Sequence, residues 1–219
     1  CLSIFIMYLF LPEKISFTNI SYDRECTKDI LRISVPSVSS KIIGNISYFF
    51  EPIIITTMLL YLGVNKDYIV LEYDLFNSFA ISLLLIPSFF INAISQALLP
   101  EIGKNLSNNK KLVKRRIKQT IFISLILGIF FCTIINIYRN EFLMFLYKDS
   151  SASDYIKFMA PFFFLYYLEA PLSTALIALG GNKATFLITT IGVIVKNIVL
   201  VLFIFMGGKM YSLAIAEIV

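Results

Sequence analysis

The sequence has no histidine, no tryptophan and three cysteines, and only 15% of its 219 residues are charged, against about 25% in ordinary soluble domains. Without imidazole, His-ligated zinc sites, Ser-His-Asp triads and a histidine proton shuttle are excluded. Cys1, Cys26 and Cys132 are odd in number and lack metal-ligand spacing, so they read as free thiols. No nucleophile–base pair or metal cluster is legible, and the chain does not read as an enzyme. With no Trp, any interfacial aromatic belt must be built from the 12 Tyr and 21 Phe.

What is abundant is apolar surface. Hydrophobic residues make up 58% of the chain and mean hydropathy is +0.82. A soluble fold of this length could not cover that much, which implies an integral membrane protein. Five runs are long enough to span: Leu31–Leu62, Leu75–Leu99, Gln119–Tyr138, Ile156–Leu179 and Thr185–Met206. Each reaches the roughly 20 residues that about 30 Å of hydrocarbon demands. The runs are continuous rather than alternating, so an all-α multi-pass helical bundle is expected, not a barrel. Pro36, Pro52, Pro87, Pro161 and Pro171 fall in or near these spans, where they are expected to kink helices. The opening "CLSIFIMYLFL" and the closing "MYSLAIAEIV" read as apolar runs cut short, which points to an internal piece of a longer protein.

Charge orients the bundle. Alternate connections carry twelve Lys and Arg on one side (Lys14 to Arg32, Lys104 to Lys118, and Lys183) and five on the other. The richer side is therefore expected in the cytoplasm. Its densest run, "KNLSNNKKLVKRRIKQT", places Leu112, Val113, Ile117 and Ile121 at helical spacing. It reads either as an amphipathic helix on the anionic inner leaflet or as a plain topology determinant; nothing else in the chain supports nucleic-acid binding. On the opposite side, "NEFLMFLYKD" reads as a short piece dipping into the interface.

Several ionisable residues nevertheless lie inside the spans, where each costs about 2.5–3.5 kcal/mol at the bilayer centre. In "SVSSKIIGNISYFFEPIII", Ser37, Lys41, Asn45, Tyr48 and Pro52, with Ser34 before them, form one polar stripe. Glu51 lies ten residues from Lys41, about 15 Å along the axis and about 80° around it, too far to pair within the helix. The next span has a stripe of Ser88, Asn92, Ser95 and Gln96; further on, Tyr166, Glu169 and Ser173 share a face, as do Thr189, Gly192 and Lys196. Opposite charges on consecutive helices suggest a structural ion pair between Glu169 and Lys196. Gly44, Gly128 and Gly192 read as helix-packing positions.

The segments "NAISQALLPEIGKNLSNNKKLVKRRIKQTI", "APFFFLYYLEAPLSTALIALGGNKATFLITTIGVIVKNIVLV", "LRISVPSVSSKIIGNISYFFEPIII" and "GGKMYSLAIAEIV" resemble, in order and spacing, parts of one family. It is the polysaccharide and lipid II flippases of the multidrug/oligosaccharidyl-lipid/polysaccharide exporter superfamily, in the stage V sporulation protein B-like branch. The resemblance covers one lobe, helices 7–12 of a two-lobe exporter fold. It implies that residues 1–11 end a sixth helix, that 12–30 form a cytoplasmic inter-lobe connection, and that 31–219 form the second lobe. It further implies a transporter of the bacterial cytoplasmic membrane that flips a lipid-linked sugar pyrophosphate by alternating access. Lys41, Asn45, Tyr48, Glu51, Asn92 and Gln96 would then form the substrate-binding wall, opposite the absent first lobe. No cofactor is implied beyond a coupling ion, H+ or Na+. The alternative within the superfamily is a cation-coupled multidrug antiporter, against which Lys41 argues by charge repulsion.

Overall fold

The computed structural model describes residues 24–106 and 109–219. The expected helix end at 1–11 and the connection as far as residue 23 lie outside them. Residues Val35–Val219 form one compact unit; ahead of it, residues 24–34 are helical. The described residues contain α-helices α1 (Arg24–Tyr61), α2 (Lys66–Asp74), α3 (Ser82–Leu85), α4 (Ser88–Asn105), α5 (Lys110–Ile137), α6 (Arg139–Tyr147), α7 (Ser153–Phe163), α8 (Tyr166–Ala178), α9 (Asn182–Phe205) and α10 (Tyr211–Ile218). A π-helical segment, Leu75–Ile81, joins α2 to α3. Among the described residues four stretches are individually long and apolar enough to cross a membrane, or five if the bent pair α7–α8 counts as one span. The all-α multi-pass expectation holds.

The boundaries shift where caps decide them. The second span starts at Lys66 rather than Leu75, because the Asn65 side chain accepts from the Asp67 N–H at 2.8 Å and caps α2. The basic run is not a separate interfacial helix. Asn109 caps it by accepting from the Leu112 N–H at 3.0 Å, and Lys110 begins a helix that continues into the span to Ile137. Its first turns are still amphipathic, with Val113 buried and Ile117 half-buried. The expected outer dip is α6, which buries Leu143 and leaves Phe145 exposed. Lys148 ends it in the left-handed region, and Asp149 then accepts from the Ser151 hydroxyl and N–H. These bonds hold the Asp149 carboxyl below its usual range.

Proline effects are local. The second span breaks at Ile86–Pro87, between α3 and α4. There the Tyr167 hydroxyl donates to the Leu84 carbonyl at 2.5 Å, supplying a partner at the break. Between Pro161 and Pro171, α7 and α8 meet at 41°, and the bonds Leu165 N–H to Phe162 O and Leu168 N–H to Leu165 O tighten the joint to three-residue turns. The turn into α9 needs both of its glycines: Gly180 has φ +83°, and a Cβ on Gly181 would stand 2.6 Å from the Leu176 side chain.

Packing sorts the connections by end. Val64, Tyr147, Ala152 and Met210 join one large apolar core with Ile55, Leu59, Phe76, Ile156 and Leu213. Leu98, Ile102, Val113, Ala175 and Ala178 form a second, smaller cluster. The connections assigned to the outer side thus meet in the first cluster, and the two later ones assigned to the cytoplasmic side, after α4 and after α8, lie by the second. Helix α4 packs on α8 and α5, and α9 on α10. By contrast, α1 meets the other helices mainly through side chains, with little close backbone approach.

Candidate functional site

Helix α1 has two different long faces. One runs Ser40, Ser47, Glu51, Ile55, Leu59 and is buried, polar in its first half and apolar in its second. The other carries Lys41, Asn45 and Tyr48, all exposed. Their spacing of three and four residues keeps them on one side of the helix. Lys41 has no ion-pair partner among the described residues.

The buried face meets α9 in a polar seam. Ser37 donates to Asn182 Oδ1 at 3.1 Å, and Asn197 donates to Ser47 Oγ at 3.0 Å. One turn beyond, Lys196 Nζ lies 2.6 Å from Glu51 Oε2 and also pairs with Glu217. The same ammonium stands over the Tyr48 ring, 4.3 Å from its centroid. Ser37 and Glu51 are fourteen residues apart, as are Asn182 and Lys196. Two parallel helices in register produce that match. Glu51 is 4% exposed, and the Lys196 and Glu217 side chains are 14% and 12% exposed.

This corrects the expected Glu169–Lys196 pair. Lys196 is claimed by Glu51 on α1 and Glu217 on α10, and Glu169 makes no salt bridge with it. The sequence argument paired Lys196 with the preceding helix, whereas its partners lie on α1, distant in the chain, and on α10, the helix that follows. Glu169 is nevertheless close by. It lines a cavity of about 470 Å³ together with Ser47, Tyr48, Thr189, Lys196 and Glu217. It also lines a second cavity, of about 230 Å³, with Ser88, Asn92, Tyr166 and Ser173. The two polar faces read from the sequence around Glu169 and Lys196 therefore open onto cavities that share Glu169.

The remaining residues divide. Asn92 lines the smaller cavity. Gln96, one turn further along α4, is exposed and lines neither. Ser95 is buried, with its hydroxyl bonded to the Ile91 carbonyl at 2.7 Å. Of the three glycines read as packing positions, Gly128 is one: a Cβ there would meet the Tyr167 ring at 3.0 Å. Gly44 and Gly192 are not. Each faces open space and lines the larger cavity. Glu217, on α10, falls in the closing apolar run "MYSLAIAEIV", where the sequence reading assigned it no partner.

The family model for MatE matches residues 42–203. Stage V sporulation protein B of Bacillus subtilis (strain 168) is 32% identical over 202 residues, covering 88% of this chain and 39% of that protein. Sporulation protein YkvU of the same organism is 23% identical over 164 residues, covering 74% of this chain and 37% of the other. No solved structure matches. The chain thus spans less than two fifths of the length of these curated relatives, in keeping with one lobe of a two-lobe exporter. By the extent of the family match and the identity to the first of these relatives, the chain belongs to the MatE family.

Proposed function

We propose that the chain forms the second lobe of a flippase that carries a lipid-linked sugar pyrophosphate across the bacterial cytoplasmic membrane. The observation that carries this reading is the contrast between two intramembrane lysines. Lys196 is neutralised by two carboxylates, while Lys41 is exposed on a polar stripe with no ion-pair partner among the described residues. A lone cation within a membrane span is costly unless it faces water or a counter-charge. A pyrophosphate is such a counter-charge, and a lysine ammonium is a compact donor to it. Asn45 and Tyr48 would meet the sugar, with Asn92 behind them at the smaller cavity. The lipid tail stays in the bilayer, and the two lobes rock around the headgroup. In this scheme Glu51 does not touch cargo. It fixes Lys196 and so holds α1 against α9.

A cation-coupled antiporter is the second reading, favoured by one observation. Glu169 and Glu217 line the larger cavity and Glu51 pairs with its single ammonium, so three carboxylates face one cation, leaving acidic capacity for H+ or Na+. The two readings separate by experiment. The full-length protein is reconstituted in liposomes with a fluorescent polyprenyl-pyrophosphate sugar, and dithionite bleaches whatever label reaches the outer leaflet. Protein-dependent bleaching of the inner pool supports the flippase. Ion-gradient-driven exchange of an organic cation, with no bleaching of the inner pool, would establish the antiporter instead.

A further inference from the structure

The cytoplasmic end of the lobe carries a feature that cargo transport does not use. Lys110, Val113, Lys114 and Ile117 recur at positions i, i+3, i+4 and i+7 on the first two turns of α5. With Leu106 at the end of α4 and Leu179 at the end of α8, they line a groove of about 330 Å³. Its floor is aliphatic and its rim is cationic. No carboxylate lines it, and neither lysine makes an ion pair among the described residues. The neighbouring groove is different. There Arg116 and Glu101 face each other at 2.6 Å and cancel.

We propose that this groove binds one anionic phospholipid of the cytoplasmic leaflet. Lys110 and Lys114 would hold the headgroup phosphate, and Val113, Ile117, Leu106 and Leu179 the adjoining acyl chain. Three features favour a lipid over a soluble anion. The apolar floor has nothing to offer a free phosphate. The helix bearing both lysines runs directly into the membrane span, which places them at the headgroup level. The charge count puts this end on the side where anionic lipid is concentrated. Because α4, α5 and α8 meet there, the lipid would tie three helices together at the inner end of the lobe. The inference does not depend on the identity of the cargo.

The test uses the full-length protein purified in non-ionic detergent, with lipid adducts counted by native mass spectrometry. Dioleoylphosphatidylglycerol is compared with dioleoylphosphatidylcholine, so that only the headgroup differs. A juxtamembrane lysine favours anionic lipid by about fivefold. The wild type should therefore prefer phosphatidylglycerol by at least that factor, and Lys110→Gln/Lys114→Gln should abolish the preference. Lys111→Gln/Arg115→Gln, which removes the same charge from the same turns outside the groove, should retain it. Ile117→Trp, which fills the groove and leaves the charge untouched, should weaken adducts of both lipids. Equal losses in the two charge-matched double variants would reduce the effect to diffuse electrostatics and overturn the proposal. So would a wild type with no headgroup preference.

Discussion

Helix α1 holds two regions of unlike physics, the polar seam from Ser37 to Glu51 and the apolar stretch at Ile55 and Leu59. The apolar stretch joins the large core, where stabilisation comes from close packing spread over many contacts. Lipid is as apolar as that core, so no hydrophobic transfer adds to it. The seam works differently. It concentrates its energy in a few polar contacts, above all the Glu51–Lys196–Glu217 cluster, and every member depends on the others. A spread-out interface tolerates the loss of one part, whereas a buried ionic cluster does not.

The largest effect should come from breaking that cluster. Lys196→Met leaves two carboxylates facing each other without a cation and is expected to cost about 3–5 kcal/mol. Thermal melting of the detergent-purified full-length protein would show it. Adding Glu51→Gln should recover part of the loss, whereas adding Glu169→Gln should recover none; the reverse ranking would restore the Glu169–Lys196 pair. On the apolar side, Leu59→Ala should cost about 2 kcal/mol, at the low end for a buried leucine because only packing is lost. A larger effect there than at Lys196 would invert the comparison.

Intermediate cases sharpen it. Gly128→Ala pushes a methyl against the Tyr167 ring and disturbs the hydroxyl that supplies Leu84 at the helix break. About 1–2 kcal/mol is expected. At the small end, Ser47→Ala removes one interhelical bond from Asn197. It should cost about 0.6 kcal/mol, near the average for such bonds in membrane proteins. Faster hydrogen exchange confined to the middle of α1 would be its signature.

The fold was largely legible because membrane insertion imposes a strong constraint: a span must be long, apolar and helical. Charge counting grouped the connections by end, and the two apolar clusters group those among the described residues the same way. Polar faces were legible too, since Tyr166/Glu169/Ser173 and Thr189/Gly192/Lys196 each open onto a cavity as the helical period implies. Partnership was not. Nothing local to Lys196 names Glu51, 145 residues away, over Glu169 on the preceding helix, because the choice is made by which helices lie side by side. The glycines show the same limit. Gly44 and Gly128 look alike in sequence, yet one faces a cavity and the other a tyrosine ring.

The central claim is that the two intramembrane lysines have different work, Lys196 in holding the lobe together and Lys41 in meeting a phosphate-bearing cargo. The most direct measurement takes Lys41→Gln in the full-length protein and records melting temperature and flipping of a polyprenyl-pyrophosphate sugar on the same preparation. The account predicts an unchanged melting temperature with flipping lost, and partial flipping in Lys41→Arg. Normal flipping by Lys41→Gln would contradict it, and so would a fall in melting temperature as large as that of Lys196→Met.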